Sequence, residues 1–250
     1  MTDGQPSTRE KSISQPKVLL IVPAYNEDET IVTVAATIRQ AGYDFIVVND
    51  GSQDSTLETC RREDIPVLDL CSNLGIGGAV QCGHIYAREH GYDIDIQFDG
   101  DGQHDIRYIP ALVDAIQNGA DLVIGSRFID ASADDFLSTG LRRLGIRWLS
   151  GAIKFMTGKR ISDVTSGFRA CNHRAIELFS QEYPIDYPEP ESIVTALKHH
   201  LSVKEVPVKM NERQGGSSSI KALSSVYYMI KVSLAIVIQG ITRHGRIKNK

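Results

Sequence analysis

A chain of 250 residues, 42% hydrophobic and 23% charged, has ample length for a buried core and too many apolar side chains for a disordered protein. Its formal net charge of −4 lacks the basic footprint of a general nucleic-acid binder. The four cysteines (Cys60, Cys71, Cys82 and Cys171) form no CxxC pair and no His/Cys cluster at zinc spacing, so free thiols in a reducing compartment are expected.

Residues 1–16 are polar, carry no signal-peptide pattern and read as a disordered lead-in. Lys17 to Val22 is a continuous apolar run ending at Pro23, the pattern of a buried parallel strand. Thr30 to Ala41 follows helical spacing, with Ile31, Val34, Ala35 and Ile38 on one face. Strands are expected at Phe45–Asn49 and Val67–Leu70, around a helix from Ser55 to Glu63. A helix over Gly77–His90 leads to a strand at Ile94–Phe98, then a helix over Ile109–Asn118 and a strand at Leu122–Gly125. This alternation predicts βαβ units on a parallel sheet. Ligands of such sheets bind outside the carboxyl ends of the strands. Five polar clusters fall there: Ala24 to Glu27, Asp50 to Ser52, Asn73 to Gly78, Asp99 to His104, and Gly125 to Arg127.

Beyond residue 128 the pattern loosens. Ser138 to Thr157 reads as a basic helix with Arg142, Arg143, Arg147 and Lys154. Val164 to Ala170 suggests the entry to a strand, Ser192–His200 a helix and Val203–Met210 a strand. Arg213 to Ser219 is a Gly/Ser loop.

The most informative stretch is Asp99-Gly100-Asp101-Gly102-Gln103-His104. Two carboxylates spaced by two at a strand end can reach one small ion, and the glycines let the backbone turn close to a ligand. With an amide oxygen from Gln103 they make a hard oxygen site suited to Mg²⁺ or Mn²⁺. His104 is either a further metal neighbour or a loop residue; hard ions prefer oxygen.

Together these residues resemble family 2 glycosyltransferases of the GT-A fold, in the dolichol-phosphate-mannose-synthase-like branch. The resemblance rests on Val22 to Glu27, Val48 to Ser52, Asn73 to Gly75, Asp99 to Gln103, Gly125 to Arg127, Asp163 to Arg169, Glu205 to Val208 and Arg213 to Ser219, in the family's order. A Rossmann oxidoreductase would need GxGxxG after the first strand, which is absent.

The resemblance implies an α/β GT-A domain over 17–219, a mostly parallel Rossmann-like sheet flanked by helices. Residues 220–250 would follow as an apolar helix with a basic tail. It implies that Pro23, Ala24, Tyr25 and Glu27 lie along the nucleoside and that Asp50, beside Gly51, meets the base edge. Asn73, Gly75 and Gly100 complete the donor cradle. Asp99, Asp101 and Gln103 would hold a divalent cation against the diphosphate, Arg127 would face diphosphate or acceptor, and Arg213 would close over the phosphates. Metal and guanidinium groups stabilise the charge a leaving diphosphate gathers.

The catalytic candidates are Asp101, Arg127, and Glu191 or Asp163 as base. A hydroxyl acceptor must lose a proton as it attacks; a phosphate acceptor need not. Glu191, in Tyr-Pro-Glu-Pro-Glu with Glu189, also sits where it would favour a helix N-terminus. One departure concerns the acceptor: many relatives with a phosphate-lipid acceptor carry lysine where this chain has Ile76.

Over 221–242 the apolar run from Val232 is shorter than the about 20 residues that span a bilayer. An interfacial helix is expected, with the basic tail from Arg243 to Lys250 meeting anionic headgroups. The expected enzyme is an inverting glycosyltransferase, peripheral on the cytoplasmic membrane face. It would pass a sugar from a nucleotide-diphosphate donor to a polyprenyl-phosphate or polyprenyl-linked acceptor. The rivals are transfer to a sugar hydroxyl and a catalytically idle nucleotide-sugar-binding scaffold; the intact Asp99-Gly100-Asp101 speaks against the latter.

Overall fold

Along the first strand, successive side chains enter opposite cores: Leu19 and Ile21 one, Leu20 and Val22 the other. A strand buried on both faces needs helices on both sides, and the computed structural model, which describes residues 15–129 and 140–210, supplies them.

The elements run β1 (Val18–Ala24), α1 (Ile31–Ala41), β2 (Asp44–Asn49), α2 (Thr56–Arg62), β3 (Val67–Asp69), α3 (Gly75–Glu89), β4 (Ile94–Gln97) and α4 (Ile109–Gln117). Then come β5 (Leu122–Ser126), α5 (Gly140–Thr157), β6 (Arg169–Asn172), α6 (His173–Gln181), α7 (Pro188–Lys198) and β7 (Val203–Pro207). The seven strands are ordered β3-β2-β1-β4-β6-β5-β7, and all pairs are parallel except those made by β6. β6 runs antiparallel between β4 and β5, placing Ala170 opposite Ile96 and Val123. Residues of α1 and α4 pack in one core layer, with Ile31, Ile38, Ile109 and Leu112 fully buried. Residues of α3, α5, α6 and α7 pack in the other, including Val80, Ile153, Phe179 and Val194. The βαβ units on a mostly parallel sheet expected from the pattern, and the α/β GT-A architecture implied by the resemblance, are therefore present.

Four boundaries depart from expectation. α3 begins at Gly75 rather than Gly77; Gly75 itself turns the chain into the helix at φ 77°, and its N–H reaches Asn73 Oδ1 at 3.1 Å. α7 begins at Pro188 rather than Ser192, since proline is preorganised for a first helical turn; Glu189 and Glu191 therefore lie within that turn. β7 ends at Pro207, short of Met210. The strand expected to enter at Val164 begins only at Arg169. Helix α6 is an addition: Asn172 caps it by accepting from Ala175 N–H at 3.1 Å, and Ala175, Ile176 and Phe179 fill one face.

The lead-in through residue 14, Arg213 with its Gly/Ser loop, and the 220–250 segment lie outside the described residues. Among the described residues, no helix is long and apolar enough to cross a membrane.

Candidate functional site

The carboxyl ends of β1, β2, β4 and β5, with the loop after β3, form one rim, and hydrogen bonds tie each loop to the next. After β1, Asn26 takes φ 58°, a conformation asparagine tolerates. Its Oδ1 accepts from Gln53 N–H at 2.8 Å and its own N–H reaches Ser52 Oγ at 3.0 Å. Glu27 starts α1 by accepting Thr30 and Ile31 N–H on its carbonyl, and its N–H reaches Thr56 Oγ1 at 2.9 Å. Pro23 and Ala24 are buried strand residues, while Tyr25 is 43% exposed and open to a ligand.

Asp50 follows β2 and is buried. Its Oδ1 accepts from Leu74 N–H at 2.6 Å, fixing the start of α3, so one carboxylate oxygen is committed to the fold. Gly51 makes that approach possible: at φ 66°, a Cβ there would stand 2.8 Å from Asn73 N.

The acidic loop follows β4. Asp99 is half-buried and Asp101 buried, with Asp101 Oδ1 accepting from Gln103 N–H at 3.0 Å. Gly102, at φ 75°, makes the turn between them. Thr30 Oγ1 reaches three acceptors but has one proton; the shortest contact, 2.8 Å to Gly100 O, pins this loop to α1.

His104 is not arranged as a metal neighbour. Its ring is buried and stacks on Phe168, with centroids 4.6 Å apart, while Phe98 meets it edge-on. Nδ1 accepts from Asp99 N–H at 3.0 Å, which places the proton on Nε2, 3.3 Å from Asp99 Oδ2. Burial lowers its pKa against the pull of Asp99 and Asp101. His104 buttresses Asp99 from behind, a support that outer partners commonly give metal ligands.

The residues fit a divalent cation. The donor set of Asp99, Asp101 and Gln103 is hard oxygen. Gly167 packs against this loop: a Cβ there would stand 2.9 Å from Gln97 Nε2, whose amide donates to Asp99 Oδ1 at 3.2 Å.

Arg127 and Asp163 form a single unit. Asp163 is fully buried and accepts from Arg127 Nε at 2.7 Å, Nη2 at 2.8 Å and backbone N at 3.1 Å. Arg127 Nη2 also reaches Thr165 Oγ1 at 2.9 Å. Glu205 Oε1 and Oε2 accept from the backbone N–H groups of Asp163 and Ser162. Both carboxylate oxygens of Asp163 thus serve the fold, which removes it from the base candidates; Arg127 is held in a fixed orientation at the rim.

The two glutamates of α7 differ. Burial raises the Glu191 carboxyl to about 7, with Asp186 adding to it. Burial also raises Glu189, and Arg169 pulls it back. Glu189 is the one whose field includes Asp99 and Arg127. Buried Arg169 bonds Ser166 O at 2.7 Å and Ser192 Oγ at 2.6 Å, tying the loop before β6 to α7. Both stand within motifs of the sequence, His104 at the end of the acidic loop and Arg169 at the end of Asp163 to Arg169, but the sequence pattern gives neither its supporting role.

Away from the rim, His84, Asp95 and Cys171 bring ligand atoms within 4.8 Å of one another. They come from α3, β4 and β6, so no sequence spacing could reveal them. His84 Nδ1 lies 2.6 Å from Asp95 Oδ2, while Asp95 Oδ1 is buried without a hydrogen-bond partner.

The model of the family described as "Glycosyl transferase family 2" matches residues 19–179. The undecaprenyl-phosphate mannosyltransferase of Micrococcus luteus is 32% identical over 215 residues, covering 82% of this chain and 87% of that protein. The UDP-N-acetylglucosamine–dolichyl-phosphate N-acetylglucosaminyltransferase of Methanococcus voltae is 30% identical over 214 residues, covering 77% and 84%. In fold, the chain is similar to glucosyl-3-phosphoglycerate synthase from Mycobacterium tuberculosis, solved with Mn²⁺, UDP and phosphoglyceric acid. The TM-score is 0.69 at 18% identity, over 92% of this chain and 80% of that one.

Proposed function

Since the chain belongs to glycosyl transferase family 2, in its dolichol-phosphate-mannose-synthase-like branch, we propose that this glycosyltransferase moves a sugar from a nucleotide diphosphate onto a polyprenyl phosphate. The observation that carries the reading is the Asp99–Gln103 loop at the carboxyl end of β4, on the rim it shares with Tyr25, Asp50 and Arg127. Relatives named for undecaprenyl- and dolichyl-phosphate acceptors support the acceptor class.

The donor nucleoside lies along Pro23 to Glu27, with Asp50 at the base. Asp99, Asp101 and Gln103 would hold a divalent cation, Mg²⁺ or Mn²⁺, which would supply positive charge beside the leaving diphosphate. The structural neighbour's Mn²⁺ and UDP support that assignment. Arg127, fixed by Asp163, adds cationic charge at the rim, and Arg213 completes the phosphate contacts. The acceptor phosphate oxygen attacks the anomeric carbon from the face opposite the diphosphate. The new C–O bond forms as the bond to the diphosphate breaks, and configuration inverts. A phosphate acceptor is already anionic and needs no base. The enzyme works as a peripheral protein of the cytoplasmic membrane face, in cell-surface glycan synthesis, within a 17–219 catalytic domain followed by a 220–250 membrane-associated segment.

Two observations favour transfer to a sugar hydroxyl instead: the half-buried Glu191 carboxyl is raised to about 7, a value suited to a base, and residue 76 is isoleucine where the resemblance implies a phosphate-binding lysine. The test is thermal stabilisation by UDP, GDP, dTDP and CDP, each with and without Mn²⁺, followed by transfer assays with the donor identified. A metal-dependent rise with one nucleotide and transfer to bare polyprenyl phosphate are expected. No rise with any nucleotide defeats the donor assignment; transfer only to a glycosylated acceptor defeats the phosphate one.

A further inference from the structure

Beneath the rim, three side chains that glycosyl transfer does not use meet in the core. Ile94 and Ile96 of β4 enter one apolar layer, so the alternation of a strand turns Asp95 into the other, which α3 and α6 cover. Its cross-strand partner is Cys171 of β6. Gly83 lets α3 press onto the sheet, since a Cβ there would stand 2.3 Å from Ile21 Cγ2, and the next residue is His84. His84, Asp95 and Cys171 are all buried, and their ligand atoms lie within 4.8 Å of one another.

The surroundings are hard on a carboxylate. Asp95 is fully buried; His84 Nδ1 meets its Oδ2 at 2.6 Å, but Oδ1 has no hydrogen-bond partner. A buried acceptor left unpaired is rare in a native fold and calls for an explanation. Burial raises the Cys171 thiol well above its usual value, and Asp95 adds to this against the pull of Arg169. A divalent cation answers both groups: it takes the unpaired carboxylate oxygen, and it deprotonates a coordinating thiol outright. One carboxylate and one thiolate cancel its charge, so with a neutral imidazole the loaded cluster suits an apolar layer. Nitrogen, oxygen and sulfur donors together are a set that Zn²⁺ accepts, whereas Mg²⁺ and Mn²⁺ favour the oxygens of the rim.

We propose that His84, Asp95 and Cys171 form a buried Zn²⁺ site, separate from the cation site of the rim, that clips α3 to β4 and β6. Ligands about 2 Å from a tetrahedral ion stand roughly 3.3 Å apart, so the His84–Asp95 contact opens by about 0.7 Å on loading. The Cys171 thiol proton goes to solvent and the proton between His84 and Asp95 leaves Nδ1, so binding weakens as pH falls. Water completes the four-coordinate shell. Tyr183, whose ring meets His84 edge-on at 5.1 Å, borders the site. The clip lies under the rim: β4 runs on into the acidic loop, and α3 starts beside Leu74, whose N–H Asp50 holds. The site does not depend on the glycosyl-transfer reading, and its test reads metal binding rather than transfer.

Full-length protein is stripped with chelator, kept in excess Mg²⁺ to fill the rim, and titrated with Zn²⁺ or with Co²⁺, whose thiolate complexes absorb by charge transfer. The expected result is one bound equivalent, a thiolate charge-transfer band with Co²⁺, and loss of that band when Zn²⁺ displaces it. At a hundredfold excess of free Zn²⁺ over its Kd the melting temperature should rise by about 5–10 °C. Cys171→Ser should abolish the band and weaken Zn²⁺ binding by more than about a hundredfold, since even the loss of an outer partner commonly costs ten- to a hundredfold. Cys71→Ser and Cys82→Ser should keep both. X-ray absorption of the Zn²⁺-loaded parent needs no variant and should show one sulfur neighbour among nitrogen and oxygen. Three outcomes overturn the proposal. One is no thiolate band, which leaves the cluster a protonated, metal-free part of the core. Another is a band that survives Cys171→Ser and vanishes with Cys71 or Cys82, which assigns the ion to a surface thiol. The third is a zinc shell with no sulfur or with more than one.

Discussion

Replacing Asp163 by asparagine separates a structural anchor from a catalytic base. Asp163 is fully buried, and its two oxygens accept three donors from Arg127 at 2.7, 2.8 and 3.1 Å. Asparagine keeps the shape but offers one oxygen and one NH₂, so a donor would face the guanidinium and the Arg127 charge would lose its counter-charge. Breaking one side of a buried pair costs about 3–5 kcal/mol, because the remaining charge stays desolvated. For a domain of this size that is a fall in melting temperature of roughly 6–20 °C. Differential scanning calorimetry of Asp163→Asn, with and without nucleotide, reads it. A double-mutant cycle with Arg127→Met sharpens the result: the paired change should be less destabilising than the sum of the single ones, since it removes both buried charges. The reasoning is refuted if Asp163→Asn melts within about 2 °C of the parent, a change of roughly 1 kcal/mol or less. Selective loss of transfer to a hydroxyl acceptor, at that unchanged stability, would then restore Asp163 as base.

Three further outcomes follow from the site. The Glu191 carboxyl is raised from 4.5 to about 7 by burial and by Asp186, so the folded protein binds that proton more tightly than the unfolded chain. The stabilisation is full below about 4.5 and lost as pH rises through about 7; Glu191→Gln should gain stability relative to the parent between about pH 5 and pH 8, modestly because the group is half exposed, and a pH-independent difference in denaturant midpoints contradicts it. His104→Asn withdraws the ring behind Asp99 and should weaken Mn²⁺-dependent nucleotide binding by about ten- to a hundredfold in titration calorimetry, whereas an unchanged Mn²⁺ affinity removes the buttress role. Gly51→Ala meets both a φ of 66° and the Asn73 backbone at 2.8 Å, while Gly119→Ala meets a φ of 86° and open space. Thermal melts should show the first costing about 1–3 kcal/mol more than the second, and equal losses would mean that only backbone conformation matters.

What the sequence revealed and what it hid have different physical origins. The strands of the βαβ half are legible because they are buried on both faces, so their apolar runs are continuous and end where the rim begins. The acidic loop is legible because its two carboxylates stand two residues apart at a strand end, each followed by glycine. β6 is harder: it is a four-residue antiparallel insertion whose preceding loop, Asp163 to Phe168, is shaped by Arg127, Arg169 and Glu205 rather than by local propensity. α7 is displaced in the sequence reading because its first turn is opened by Pro188 and holds Pro190, residues that ordinarily warn of a break.

Within the site, the legible residues are those that would touch the ligand, and the hidden ones are those that hold them. Asp99, Asp101 and Gln103 announce themselves by chemistry. The support of Asp99 comes from His104 stacked on Phe168, a ring that becomes its neighbour only when β6 inserts beside β4. Arg127 and Asp163 both stand out in the sequence, but as two independent candidates. Only the fold joins them, over 36 residues, into one buried pair and so changes the role assigned to Asp163. Glu189 and Glu191 show the same limit at shorter range: two residues apart in one helical turn, they enter different electrostatic surroundings, one shared with Asp99 and Arg127 and the other with Asp186. A motif can name the atoms that meet a substrate, but which of two neighbouring carboxylates shares their field depends on the direction in which α7 starts, and that is set by tertiary contacts such as Arg169 to Ser192.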